Sequence, residues 1–116
     1  MIREEKKYRW IKIVGNIHEL IFEENNIAET EIDGKKICIV KTADGIKACS
    51  TKCPHAGGDM AKGKLDKKGN IICPVHGYIF NTDNGRDING EGYFLKMYPV
   101  KISEEGVFVG IEHANS

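Results

Sequence analysis

Apolar and polar residues alternate in short runs along most of the chain, and almost no stretch repeats at the 3.6-residue period of a helix. Tyr8-Arg9-Trp10-Ile11-Lys12-Ile13-Val14 predicts a strand with Trp10 packed inward, followed by a single helical turn at Ile17 to Leu20. Ile27 to Ile32 and Lys36 to Lys41 flank Asp33-Gly34-Lys35, and Asp-Gly between alternating runs predicts a hairpin. A second Asp-Gly turn at Asp44-Gly45 leads into a strand over Ile46 to Cys49. Beyond it the pattern predicts short strands at Ile71-Ile72 and Tyr78 to Phe80, and a glycine-rich loop over Arg86 to Tyr93. Closing strands over Phe94 to Ile102 and Val107 to Ile111 meet at Ser103-Glu104-Glu105-Gly106.

Many short strands with turn signals between them predict an all-β chain, an antiparallel sandwich or barrel. With 116 residues, 41% of them hydrophobic, the chain forms one domain with a true core. Lysines and arginines number 17, as do aspartates and glutamates, so there is no basic excess for nucleic acid or an anionic membrane, and the expected partners are proteins. The start, Met1 to Lys7, is charged, and apolar runs such as Ile37 to Val40 are far shorter than a membrane span. The expectation is a soluble, cytoplasmic protein with no membrane span.

Two short loops stand apart from this pattern: Cys53-Pro54-His55-Ala56-Gly57-Gly58 and Cys73-Pro74-Val75-His76-Gly77-Tyr78. Each carries one cysteine and one histidine, and 17 residues separate His55 from Cys73. Thiolate is a soft donor and imidazole a borderline one, so Cys53, His55, Cys73 and His76 together suit zinc or an iron-sulfur centre rather than magnesium or calcium. A structural zinc site remains open on the residue types alone, although zinc fingers pair Cys with Cys and His with His, whereas each loop here mixes them.

The C-P-H-A-G-G and C-P-V-H-G-Y loops resemble the Rieske signature, Cys-x-His followed after 15 to 17 residues by Cys-x-x-His. The resemblance covers about residues 8 to 111. It implies a base of antiparallel strands from both chain ends, with a cluster-binding subdomain inserted at about residues 48–82. It also implies one 2Fe-2S cluster per chain, one iron held by Cys53 and Cys73 and the other by His55 and His76. Two ferric ions, two sulfides, two thiolates and two neutral imidazoles sum to zero charge, against −2 for four thiolates. Reduction is therefore easier, and Rieske potentials lie at roughly −150 to +300 mV.

Cys38, within Ile37-Cys38-Ile39-Val40, reads as a small buried hydrophobe. Cys49 reads the same way, with an accessory role near the cluster as its alternative. His18 and His113 have no Cys or His neighbours in sequence and read as surface residues. Lys62, Lys64, Lys67 and Lys68 form a basic run between the ligand loops.

High-potential Rieske proteins clamp the two loops with a disulfide; the corresponding positions here are Gly58 and Val75. Where those proteins place hydroxyl donors to the cluster, this chain has Tyr78 and Phe80. Both departures imply a potential in the lower part of the range and a likeness to the ferredoxins of ring-hydroxylating oxygenase systems. Such ferredoxins often carry a proline in the third loop covering the cluster, and Asn89-Gly90-Glu91-Gly92 has none, which leaves the rigidity of that cover without a visible source. The implied function is single-electron transfer from a flavin-dependent reductase to an oxygenase or other acceptor, with no catalysis by the chain itself. Its alternatives are the small subunit of a nitrite reductase-like complex and a zinc-stabilised interaction module.

Overall fold

A computed structural model describes residues 8–55 and 57–112. Ten strands follow in order: β1 (Tyr8–Val14), β2 (Ile27–Ile32), β3 (Lys35–Thr42), β4 (Gly45–Ser50), β5 (Lys64–Leu65), β6 (Ile71–Ile72), β7 (Ile79–Phe80), β8 (Met97–Tyr98), β9 (Val100–Ser103) and β10 (Gly106–Glu112). Two 3-10 turns, Ile17–Glu19 and Met60–Lys62, complete the regular structure. The strands form three sheets in the orders β1-β10-β9, β2-β3-β4-β8 and β5-β6-β7, every pairing antiparallel.

The β2–β3 hairpin forms where Asp-Gly predicts it. Asp33 and Gly34 take φ of 52° and 83°, the left-handed pair that matches the twist of the flanking strands. The Ile17–Glu19 turn is held by a capping box, in which Asn16 accepts from the His18 amide and Glu19 reaches back to the Asn16 amide.

β3 explains why its apolar run does not alternate. Ile37 and Ile39 face a base core with Ala28, Ile32, Ala48 and Val109, while Cys38 and Val40 face a second core with Cys49, Cys53, Met60, Ile71, Cys73, Phe80 and Leu95. A strand covered on both faces reads as continuously hydrophobic. The second core lies directly beneath the two Cys/His loops, because Cys53 and Cys73 belong to it.

Two expectations are revised. Trp10 is half-buried rather than packed inward: Ile11 and Ile13 take the core face, and the alternate face of β1 carries Trp10 over Gly110, with the Lys101 ammonium 4.3 Å from its ring centroid. The closing strand from Phe94 to Ile102 breaks at Pro99, which cannot donate to a ladder. β8 pairs with β4, whereas β9 pairs with β10. The stretch between the two loops carries its own structure, a 3-10 turn capped by Asp59 and the strand β5 against β6. His18 is exposed as expected, and His113 lies outside the described residues.

Candidate metal centre

The two loops have the same backbone design. In the first, the Cys53 amide donates to the Gly58 carbonyl and the Gly57 amide to the Cys53 carbonyl, both at 2.8 Å. In the second, the Cys73 amide donates to the Tyr78 carbonyl at 2.8 Å and the Gly77 amide to the Cys73 carbonyl at 3.0 Å. Gly57 and Gly77 occupy equivalent places with φ of 71° and 72°, which is why each loop needs glycine there. The first loop is closed at its base by the Lys52–Asp59 bridge, and the second is carried between β6 and β7.

The loops meet face to face. A Cβ built on Gly58 lies 2.6 Å from the Val75 Cγ2 and 2.9 Å from the Cys73 Sγ, so the second loop occupies the space a side chain would need. Cys53 and Cys73 are each only 1% exposed. The His55 and His76 rings stand edge to face with centroids 5.2 Å apart. The four candidate ligands are thus brought together at one end of the β5-β6-β7 sheet.

The two histidines differ in their surroundings. His76 is exposed, and Val75 beside it is 54% exposed. His55 is half-buried, stacked on the Tyr78 ring at 3.9 Å and 15°, with the Tyr93 ring edge-on at 5.1 Å. Its Nδ1 is, among the described residues, a buried side-chain polar atom with no hydrogen-bond partner. A buried nitrogen lone pair left unpaired is costly unless a ligand takes it, and donation to a metal is the chemistry that does so. With two buried sulfurs beside it, this donor set fits an iron-sulfur cluster. In a two-iron cluster each iron takes two protein ligands, which matches two cysteines and two histidines.

The third loop covers the His55 side. Tyr78 Oη donates to Glu91 Oε1 at 3.1 Å. Burial first, and then that hydrogen bond, push the phenol above its ordinary pKa, so at neutral pH it is a protonated donor engaged with Glu91. Asp87 is the residue on which this loop is built, and the strand pattern does not reveal it. Its Oδ1 accepts from the amides of Asn89 (3.0 Å) and Glu91 (3.1 Å), and its Oδ2 from the amide of Tyr93 (2.9 Å). The Glu91 amide holds the carboxyl below the ordinary Asp value; burial opposes this, and the Tyr93 and Asn89 amides reinforce it. A readable signal was present: Asp two residues before Asn-Gly is an Asx-turn pattern.

Cys38 and Cys49 stand directly opposite each other on β3 and β4, both fully buried. Hydrogen bonding with Cys49 that favours the protonated form, and then burial, push the Cys38 thiol far above its ordinary pKa. The pair lies in the core beneath the cluster loops.

The family model described as "Rieske [2Fe-2S] domain" matches residues 10–99. The chain belongs to this family. The group it carries is therefore a Rieske-type 2Fe-2S cluster. This Rieske domain is 35% identical over 94 residues to apoptosis-inducing factor 3 of Homo sapiens, covering 79% of the chain and 15% of that protein. It is 27% identical over 82 residues to the ferredoxin component of the alkene monooxygenase system of Xanthobacter autotrophicus, covering 71% of the chain and 67% of that protein. The chain thus spans about one-seventh of the first relative's length and two-thirds of the second's. The fold is that of the ferredoxin of carbazole 1,9a-dioxygenase from Nocardioides aromaticivorans IC177, with a TM-score of 0.72, 19% identity, and coverage of 86% of this chain and 95% of that one. No helix among the described residues is long and apolar enough to cross a membrane.

Proposed function

We propose that Cys53, His55, Cys73 and His76 ligate the cluster, within a cluster-binding subdomain of about residues 48–82. On this reading the domain passes single electrons from a flavin-dependent reductase to an oxygenase or another acceptor. The observation that carries it is the orphaned, buried Nδ1 of His55 beside two buried cysteines, in loops of matched backbone design. The ferredoxin component among the relatives supports the oxygenase side. When bound, the cluster supplies one-electron redox chemistry; the protein supplies two thiolates and two neutral imidazoles, partial exclusion of water and a surface for approach. All four donors are engaged in holding the metal, so the chain carries electrons without transforming a substrate.

Acceptors approach at the exposed side, formed by His76 and Val75. Lys62 ends the 3-10 turn after the first loop, and Lys64 pairs with Ile72, the residue before Cys73, so both flank the cluster end. Lys67 and Lys68 sit at the distal turn of the β5–β6 hairpin, where the Lys68 amide donates to Asp66. The docking patch is therefore Lys62 and Lys64, steering an acidic partner.

Iron and acid-labile sulfide analysis with electron paramagnetic resonance tests the ligand set. Two irons and two sulfides per chain are expected, with loss of the centre in Cys53→Ser and Cys73→Ser; one zinc and no sulfide from iron-replete cells refutes it. Changing Lys62 and Lys64 together to Glu should slow transfer to the acceptor several-fold at low salt and leave the potential unchanged. An unaltered rate removes these lysines from the docking surface.

A further inference from the structure

We propose that Asp87 is a positioning residue for the cluster: its carboxylate ties the third loop into a ring that holds Tyr93 and Glu91 in place, and through them fixes the plane of the His55 imidazole. The proposal rests on His55 being a ligand.

The ring is closed at several points. Asp87 gathers the amides of Asn89, Glu91 and Tyr93 on its two oxygens, and its own amide donates to the Tyr93 carbonyl at 3.1 Å. Both flanks are tied down. The Ile88 amide donates to the Ile79 carbonyl at 3.0 Å, the Asn81 amide to the Arg86 carbonyl at 2.8 Å, and the Leu95 amide to the Gly85 carbonyl at 2.7 Å. Asp87 is itself 6% exposed, so its hydrogen bonds are largely shielded from competing water. A carboxylate that accepts backbone amides converges them on one centre, which restrains a glycine-containing loop without a proline.

The ring's products face the cluster ligand. Tyr93, whose amide is held by Oδ2, sets its ring edge-on to His55 at 5.1 Å and to Tyr78 at 5.5 Å. Glu91, whose amide is held by Oδ1, receives the Tyr78 hydroxyl, and the Tyr78 ring is stacked on the His55 imidazole. Two routes, joined by the contact between the Tyr93 and Tyr78 rings, thus run from one carboxylate to one imidazole, and neither ring contact is to His76.

Asp87→Asn tests this with little change of shape. The amide group keeps one acceptor and turns a donor toward an amide that needs an acceptor, so at least one of the three bonds is lost. Hydrogen exchange of the segment 86–94 in the cluster-loaded protein should accelerate roughly tenfold to a hundredfold. In pulsed electron paramagnetic resonance of the reduced protein, one of the two histidine nitrogen couplings should change and the other should not. Tyr93→Leu should produce the same change in coupling with the loop amides still protected, and it carries the test if Asp87→Asn does not retain its cluster. Couplings that stay at their unmodified values in whichever of the two variants is loaded overturn the proposal. Absence of any histidine coupling in the unmodified protein overturns instead the ligand assignment on which it rests.

Discussion

Gly58→Ala isolates the contact that brings the two ligand loops together. The φ of Gly58 is not positive, so alanine meets no backbone strain and the effect is steric. The added Cβ would sit 2.6 Å from the Val75 Cγ2, 3.3 Å from the Val75 Cβ and 2.9 Å from the Cys73 Sγ. Carbon pairs rest at about 3.5–4.0 Å, so the Val75 methyl is roughly an ångström too close. Val75 is half exposed and can rotate, but the Cys73 sulfur is fixed in the core and is a proposed iron ligand. Overpacking of this kind costs about 1–3 kcal/mol. At about 4–8 °C per kcal/mol for a domain of about 100 residues, the thermal midpoint for loss of the cluster's visible absorbance should fall by about 4–24 °C. Adding Val75→Ala removes the Cγ2 contact and leaves the sulfur contact. The double variant should therefore recover stability while its iron content stays below that of the unmodified protein, a non-additive outcome expected of touching residues. A Gly58→Ala protein with full iron and an unchanged midpoint refutes the reasoning, as does a double variant no more stable than the single one.

Cys38→Ala and Cys49→Ala should each leave the cluster's spectrum intact and cost about 0.5–1.5 kcal/mol in denaturant unfolding, the scale of deleting one core heavy atom. Tyr78→Phe removes a hydroxyl directed at Glu91, so its potential should shift by less than about 59 mV, a tenfold change for one electron. Voltammetry of the unmodified protein should give a value in the lower part of the roughly −150 to +300 mV range. Because the folded pKa of Asp87 is depressed, its contribution is present in full above the ordinary Asp value and lost as pH falls through the folded one. After correction for intrinsic rates, exchange of segment 86–94 should therefore be flat from neutral pH to about pH 5 and rise only in stronger acid, a rise that Asp87→Asn should not show.

What could be read from the chain alone was whatever is encoded within a few neighbouring residues. Asp33-Gly34 names its turn because both residues must take positive φ, and each ligand loop shows its donors and its glycine within six positions. The base strands were legible for the same reason, while Pro99 conceals a change of sheet that depends on β4 and β10, both distant in sequence. The facing of Trp10 depended on Gly110 at the other end of the chain. The cover over His55 was the largest omission. Its rigidity was sought in a proline, and the structure obtains it from a side chain bonding to backbone, for which Asp87 and the following Asn89-Gly90 were the available signs.

The matched backbones and unmatched surroundings of the two loops separate two tasks. With the proposed ligands the oxidised cluster is neutral and the reduced one carries a single negative charge, so any group that excludes water from it disfavours the reduced form and lowers the potential. Tyr78, Tyr93 and the third loop do this on the His55 side only. A partner cannot come near through that cover, whereas His76, Val75 and Gly77 are exposed. Substitutions under the cover should therefore act on the potential and little on association, and substitutions of Val75 should act on association and little on the potential. Had both histidines been buried alike, potential could not be lowered without also lengthening the path to the partner; had both been open, docking would leave the potential at the mercy of solvent. Dividing the two between pseudo-equivalent loops lets the chain lower its potential on one side and keep the short approach on the other.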